Sequence, residues 1–295
     1  MATNKLRFAI FGNTYQTKKS ASIQRLLSCL RTYGCGIAID RSYYNFLTST
    51  VGIDISGAEV FDDGCFDADF VISMGGDGTF LKAASRVGAK EIPIIGVNMG
   101  RLGFLADVAP NEIEACVAQL HKGEYTVESR KTIKVEVDGF EFSDPPYALN
   151  DVSILKRDNA SMISIRAAVN GEYLTTYQAD GLIVSTPTGS TAYSLSNGGP
   201  IIVPGTSVFL MTAVAPHSLN MRPIVMQDNV VLTLDVESRS HNFLIAIDGR
   251  SEKCSEGARI TLSKAPHKVN MVKRLGQTYS RVLRQKMMWG ADGRD

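Results

Sequence analysis

The chain has 295 residues, 44% of them hydrophobic and 21% charged. That excludes a disordered or fibrous chain, and the length predicts two domains of ordinary size. Lys plus Arg number 31 and Asp plus Glu 30, a net charge of +1, so no bulk field draws the chain to nucleic acid or anionic lipid.

The opening MATNKLRFAI holds too short an apolar stretch for a signal peptide, and a cytoplasmic protein is expected. Arg7 to Phe11 reads as a short buried strand ending at Gly12. Ser22 to Tyr33 places Ile23, Leu26, Leu27 and Leu30 on one helical face, with Gly34 as a stop. Gly36 to Ile39 is a second strand, and Asp69 to Met74 a third, followed at once by GGDGT. Phe80 to Val87 is helical in pattern, Pro93 to Val97 is a further apolar strand, and Asn111 to Leu120 is again helical. Strands apolar throughout and separated by helices indicate a parallel sheet covered on both faces.

The pattern changes near Gly123. Alternating runs now meet at turn pairs: Ile133 to Val137 at Asp138-Gly139, and Ile163 to Val169 at Asn170-Gly171, with Tyr173 to Tyr177 beyond. Asn-Gly between two such runs signals a hairpin, because both residues tolerate positive φ. Further strands are predicted at Val208 to Val214, Val230 to Val236, Phe243 to Ile247 and Arg259 to Leu262, and a short helix at Val282 to Met288. The most apolar segment, Ser207 to Pro216, is far short of the ~20 residues that span a bilayer. The expected organisation is an α/β domain over 1–125, a β-rich domain over 126–270 and a C-terminal tail over 271–295 that packs back on the first. Five cysteines without CxxC and four histidines without HxxxH argue against a zinc ribbon or a redox dithiol, and predict buried reduced thiols.

Gly75-Gly76-Asp77-Gly78-Thr79 follows the carboxyl end of an apolar strand and opens a helix, where a parallel sheet binds ligands. Glycines let the backbone approach a ligand, and the N–H groups of the helix start can hold phosphate oxygens. A carboxylate among phosphates repels them, so Asp77 is expected to accept a proton from an attacking hydroxyl, to hold Mg²⁺, or both. A tight turn capped by Asp77 is the plain alternative. No GxxxxGK[ST], no GxGxxG after the first strand and no HRD–DFG pair occurs, which argues against Walker-type NTPases, hydride-transferring dinucleotide enzymes and protein kinases.

Three other segments stand out. In Gly100-Arg101-Leu102-Gly103-Phe104-Leu105, Arg101 can meet phosphate and Phe104 can pack on a flat ring. Asn150-Asp151 interrupts an apolar strand and suits ribose hydroxyls or an adenine amine. Both facing one ligand requires a strand end or bulge, since adjacent strand residues point apart; a solvated strand end is the competing reading. The run from Asp180 to Pro200 exposes small hydroxyl residues, but its Gly-Ser-Thr-Ala-Tyr is not GxSxG, so Ser190 and Ser194 read as cap and turn residues rather than nucleophiles.

These features, in this order, resemble the NAD kinase family from about Ile72 to Arg250. GGDGT alone is shared with diacylglycerol-kinase-like lipid kinases and 6-phosphofructokinases; the combination with NMGRLGFL, LND and DGLIVSTPTGSTAYSLSNGGP is specific, and Phe80-Leu81-Lys82 stands where lipid kinases have Asn-Glu-Val. The resemblance implies a Rossmann-like α/β domain followed by a mainly antiparallel β-rich, NAD-binding domain. It implies transfer of the γ-phosphoryl of ATP to the 2′-hydroxyl of the adenosine ribose of NAD, giving NADP, with a divalent metal, Mg²⁺. By the same resemblance Asp77 accepts the ribose proton. Gly78, Leu81, Phe104, Asn150, Asp151, Asp180, Thr188, Thr191, Ala192, Tyr193, Ser194, Ser196, Ala215 and Arg250 are the NAD-binding positions. Partners implied are NAD and ATP, with no nucleic acid or membrane, in a homodimer or homotetramer with sites near subunit contacts. Two positions depart from the family pattern: Gln178 stands where Arg or Lys is frequent, and Arg250 where Gln or His is. The competing readings are a diacylglycerol-type lipid kinase, which no basic amphipathic helix supports, and a dinucleotide sensor without catalysis.

Overall fold

The computed structural model describes residues 5–15, 20–100, 103–157 and 161–288. It divides into one unit of Met1–Ser129 with Val269–Asp295 and another of Arg130–Lys268.

In the first unit, β1 (Arg7–Gly12) is buried along all but its first residue. Helix α1 (Ser20–Thr32) buries Ile23, Leu26, Leu27 and Leu30, the face expected from their spacing, and Gly34 follows with φ of 66°. Then come β2 (Gly36–Asp40), the short α2 (Arg41–Asn45), which runs on as a wider π-type turn over Phe46–Val51, and β3 (Glu59–Phe61). The buried β4 (Phe70–Gly75) leads directly into α3 (Asp77–Val87), which starts three residues earlier than its apolar pattern shows. β5 (Ile94–Asn98) and α4 (Ile113–Lys122), closed by Gly123 at φ of 73°, complete the alternation. The strands lie in the order β3-β2-β1-β4-β5, all parallel, and Met271 near the C-terminus pairs in parallel with Ile94. From β1 the chain winds outward in both directions, so the carboxyl ends of β1 and β4 flank a topological switch point, the usual ligand crevice of such sheets. There Asn13 donates its backbone N–H to Met74 at 3.0 Å.

The second unit is the β-rich one. It begins within β6 (Tyr125–Val137) and continues through β7 (Tyr147–Ala148), β8 (Asp151–Lys156), β9 (Ile163–Val169), β10 (Glu172–Ala179) and β11 (Gly181–Ser185). A four-residue helix, α5 (Tyr193–Ser196), precedes β12 (Val208–Val214), β13 (Ile224–Gln227), β14 (Leu232–Glu237), β15 (Asn242–Ile247), β16 (Arg250–Ser255) and β17 (Arg259–Arg274). One antiparallel sheet runs β13-β12-β11-β8-β15-β16; the other runs β10-β9-β14-β17, with β6 on β17. Alternate residues of both, including Ile154, Val184, Phe209 and Ile245 from one and Ile165, Leu234, Val236 and Ile260 from the other, fill a single core, the period-2 arrangement of packed sheets. Asn170 and Gly171 take φ of 50° and 83° at the β9–β10 turn, as the hairpin reading requires.

The α/β and antiparallel halves agree with the fold class expected from the sequence. β17 is far longer than its Arg259 to Leu262 reading, and helix α6 (Tyr279–Met287) follows it. Cys35, Cys116 and Cys254 are buried thiols, but Cys29 is only half-buried and Cys65 is exposed, so the expectation of burial fails at these two. No helix among the described residues is long and apolar enough to cross a membrane.

Candidate active site

The turn after β4 explains only part of its glycine content. A side chain at Gly75 would strike Thr79, its Cβ lying 2.1 Å from Oγ1, so Gly75 and Thr79 fit one another. Gly76 and Gly78 have no heavy atom within 4 Å of an added Cβ, and neither has positive φ. Packing and backbone strain therefore give no reason for glycine at these two positions, whereas close approach of a ligand does. Asp77 is the first residue of α3, where the helix dipole favours negative charge.

Its carboxylate is held by a second loop. Phe104 N–H donates to Oδ2 at 2.7 Å, and the N–H groups of Leu105 and Ala106 donate to Oδ1 at 3.0 and 2.9 Å. Gly103 is glycine for this contact, since its Cβ would lie 1.8 Å from Oδ1. A carboxylate offers about four acceptor directions; among the described residues three are taken, and one on Oδ2 remains. Asn98, at the end of β5, braces the same loop, accepting from Gly100 N–H at 2.6 Å. Arg101 lies outside the described residues.

The β-rich unit contains a similar device. Asp248 accepts the backbone N–H groups of Leu149 at 2.8 Å, Asn150 at 2.8 Å and Asp151 at 3.2 Å. Asn150 sits just before β8 and Asp151 is its first residue, so the pair occupies a strand end, one of the two arrangements that let neighbours share a face. Asp151 accepts the N–H of Tyr193 and a bond from Ser153 Oγ. Burial, then the charge of Asp248, pushes its carboxyl up to about 7; burial pushes Asp248 up to about 6, against the three N–H donors and Arg250. The loop after β11 packs on the same turn: Thr186 donates its N–H to Asn150 O at 2.9 Å, and Gly189 would clash with that oxygen at 2.1 Å if it carried a Cβ. Thr188 accepts from buried Arg130 at 3.2 Å. Asn150, Asp151, Thr188, Thr191, Ala192 and Tyr193 thus gather at one end of the β8–β11 pair.

Residues 54–125 match the ATP-NAD kinase N-terminal domain and residues 149–274 the ATP-NAD kinase C-terminal domain. The chain is 56% identical over 289 residues to an NAD kinase of Bacteroides fragilis, covering 98% of this chain and 100% of that one. It is 44% identical over 285 residues to an NAD kinase of Porphyromonas gingivalis, covering 97% and 98%. The chain belongs to the NAD kinase family. NAD kinases are phosphotransferases, and this is an enzyme of that class. Two solved structures share the fold: yeast NADH kinase complexed with NADH (TM-score 0.87, 19% identity, 98% of this chain and 89% of that one). The other is an NAD kinase from Archaeoglobus fulgidus in complex with ATP (TM-score 0.71, 24% identity, 96% and 98%).

The other family positions are not all in one place. Gly181 pairs with Leu155 and Ser185 with Asp151, so Asp180 lies at the opposite end of β11 from the polar turn. There it forms an ion pair with Lys156 at 2.7 Å and donates its N–H to Val214 O, beside Ala215 (φ 44°), while Gln178 O accepts from His217 N–H. Ser194 is fully buried, with its hydroxyl on Thr212 at 2.8 Å. Ser190 is equally buried on Pro187 O and Ile202, in keeping with a turn role. Arg250 turns its guanidinium to Pro145 O, Tyr147 O and Asp144, so it also anchors the loop before β7. Ser196 is exposed on α5, and Leu81 is half-buried on α3. The fit of Gly103 against Asp77 and the anchoring role of Asp248 are absent from the sequence reading. The available signal for the second was Asp-Gly between two strand runs, the dipeptide of a tight hairpin; Asp248 and Gly249 take φ of 49° and 80°.

Proposed function

We propose that this enzyme transfers the γ-phosphoryl of ATP to the 2′-hydroxyl of the adenosine ribose of NAD, with Asp77 as the proton acceptor. The observation that carries this is the Asp77 carboxylate, fixed by three amides with one acceptor direction left, at a helix start whose Gly76 and Gly78 serve no packing purpose. The hydroxyl donates to that remaining direction. As its oxygen bonds to the γ-phosphorus, the bond to the β,γ-bridging oxygen breaks, ADP leaves and the proton passes to Asp77. The free N–H groups at the head of α3 neutralise phosphate charge. Asn150 and Asp151 hold the adenosine hydroxyls, with Thr188, Thr191, Ala192, Tyr193 and Ser196 along the dinucleotide and Leu81 and Phe104 beside it.

Among the described residues no group of three or more His, Cys, Asp or Glu forms a metal cage. Mg²⁺ is then held by the donor's phosphates and by water, because the one acceptor direction left on Asp77 goes to the hydroxyl. When bound, the ion supplies charge neutralisation at the phosphates. We further assign the protein to the cytoplasm, with no membrane or nucleic-acid partner, as a homodimer or homotetramer in which Asp180 and Ala215 serve a neighbouring copy's site. The β11 strand that separates them from the polar turn spans ~16 Å. The test is incubation with ATP, Mg²⁺ and NAD, reading NADP with an NADP-specific dehydrogenase. NADP at stoichiometry with ADP is expected; ADP without NADP contradicts the acceptor, and product only with polyphosphate contradicts the donor.

A further inference from the structure

Helix α6 leaves a cavity of about 470 Å³ between itself and residues 107–119, lined by Asp107, Glu112, Gln119, Arg274, Gln277, Arg281 and Lys286 among others. Four of these carry a buried polar atom with no hydrogen-bond partner among the described residues: Gln119 Oε1, Arg274 Nε, Gln277 Oε1 and Lys286 Nζ. Buried polar groups are nearly always paired, so four around one cavity, from α4, β17, the loop after it and α6, point to something polar that fills the space. The charges indicate its sign. Asp107 is taken by Lys273 at 3.0 Å and Glu112 by Arg274 at 3.0 Å. Lys286 and Arg281 are left as the cations with no ion pair among the described residues. The Lys286 ammonium also lies 4.8 Å from the centroid of the Phe104 ring, whose backbone N–H holds Asp77. It thus joins the cavity to the loop that fixes the proposed base.

We propose that this cavity is a phosphate-binding site for the polyphosphate of the phosphoryl donor, with Lys286 the residue that carries its affinity; this rests on the phosphoryl-transfer reading above. A phosphate chain supplies acceptors to Lys286, Arg281 and Arg274 Nε at once. Either glutamine serves as donor by turning its amide, since its O and N are interchangeable in shape. Three charged groups act on the ammonium besides its burial: Asp77 and Asp107 favour its charge and Lys273 opposes it, with burial the largest effect and the ammonium brought down to about 8. An incoming anion restores the charge that burial disfavours.

The test is calorimetric titration of tripolyphosphate into the full chain without NAD, for the wild type, Lys286→Met, Lys286→Arg and Arg281→Gln. Saturable binding by the wild type is expected, about tenfold weaker in Lys286→Met and Arg281→Gln and largely recovered in Lys286→Arg. KM for ATP should rise in parallel while NAD affinity and Tm stay near wild type. No saturable binding by the wild type, or equal binding by Lys286→Met, means that the cavity holds water only and overturns the proposal. So does loss of NAD affinity and Tm together, which would make Lys286 a structural prop, and so does weaker tripolyphosphate binding with KM for ATP unchanged. NADP formation by the wild type is scored separately. A chain that makes NADP but binds no tripolyphosphate loses this site alone; one that binds it without making NADP loses the reading of the reaction.

Discussion

Gly78 separates a ligand-binding turn from a merely tight one. It lies in the first turn of α3, is exposed and has open space where a Cβ would sit. Alanine there favours the helix by up to ~1 kcal/mol. Gly78→Ala is therefore expected to keep or slightly raise Tm while lowering kcat/KM by about tenfold or more. Unchanged kinetics would return the turn to a purely structural role. Gly103→Ala should do the opposite kind of damage, because its Cβ meets Asp77 itself: stability and turnover should fall together, by roughly 1–3 kcal/mol in the first. Asp151 carries a pH signature. Its carboxyl titrates at about 7 in the folded chain, above its ordinary value of 3.8. The folded state then holds a proton that the unfolded state has released, so stability falls as pH rises between about 4 and 7. Asp151→Asn should flatten that slope and raise stability at pH 8 by roughly 2–4 kcal/mol, while weakening NAD binding. A melting series across pH that shows wild type and variant parallel would contradict the buried-pair account.

Two elements of the site are turns whose amides converge on one carboxylate, 103–106 on Asp77 and 149–151 on Asp248. Asp248→Asn puts an NH₂ where one carboxylate oxygen accepted, leaving at least one of the three amides facing a donor instead of an acceptor, so the Asn150-Asp151 turn should loosen. KM for NAD should rise about tenfold with kcat changed less; an unaltered KM would remove Asp248 from the positioning of that turn. Much of the parallel sheet was legible because its strands are apolar on both faces and local in sequence. GGDGT was legible because strand, glycines and helix adjoin in the chain. The segment 41–51 was not, since the helical spacing of Tyr43, Phe46 and Leu47 lasts barely more than one turn before the chain widens into a π-type turn. Nor was Lys286, whose position over Phe104 depends on chain return through β17 and α6. Nor was the direction of the Ser194 hydroxyl, which faces Thr212, a strand away in the chain.

On the scale of the whole molecule, β13 is an edge strand with Ile224 and Val225 exposed, near 37% and 50%. Unpaired apolar edges are rarely left open in solution, which accords with an oligomer. Light scattering should report a dimer or tetramer, and Ile224→Lys with Val225→Lys should shift it toward monomer. The two clusters at opposite ends of β11 make a stronger demand. If Asp180 serves a neighbouring copy, refolding Asp77→Asn together with Asp180→Asn should regenerate sites with neither lesion, recovering about a quarter of wild-type activity in a dimer. No recovery would place Asp180 in its own copy's site.

The most direct measurement is single-turnover formation of NADP from NAD, ATP and Mg²⁺ by the wild type and by Asp77→Asn, with NAD affinity and Tm measured on the same preparations. The account expects NADP from the wild type, turnover reduced by about a thousandfold or more in the variant, NAD binding retained, and a folded variant whose Tm falls only by the loss of an acceptor for the 104–106 amides. Undiminished turnover in a folded Asp77→Asn would contradict it.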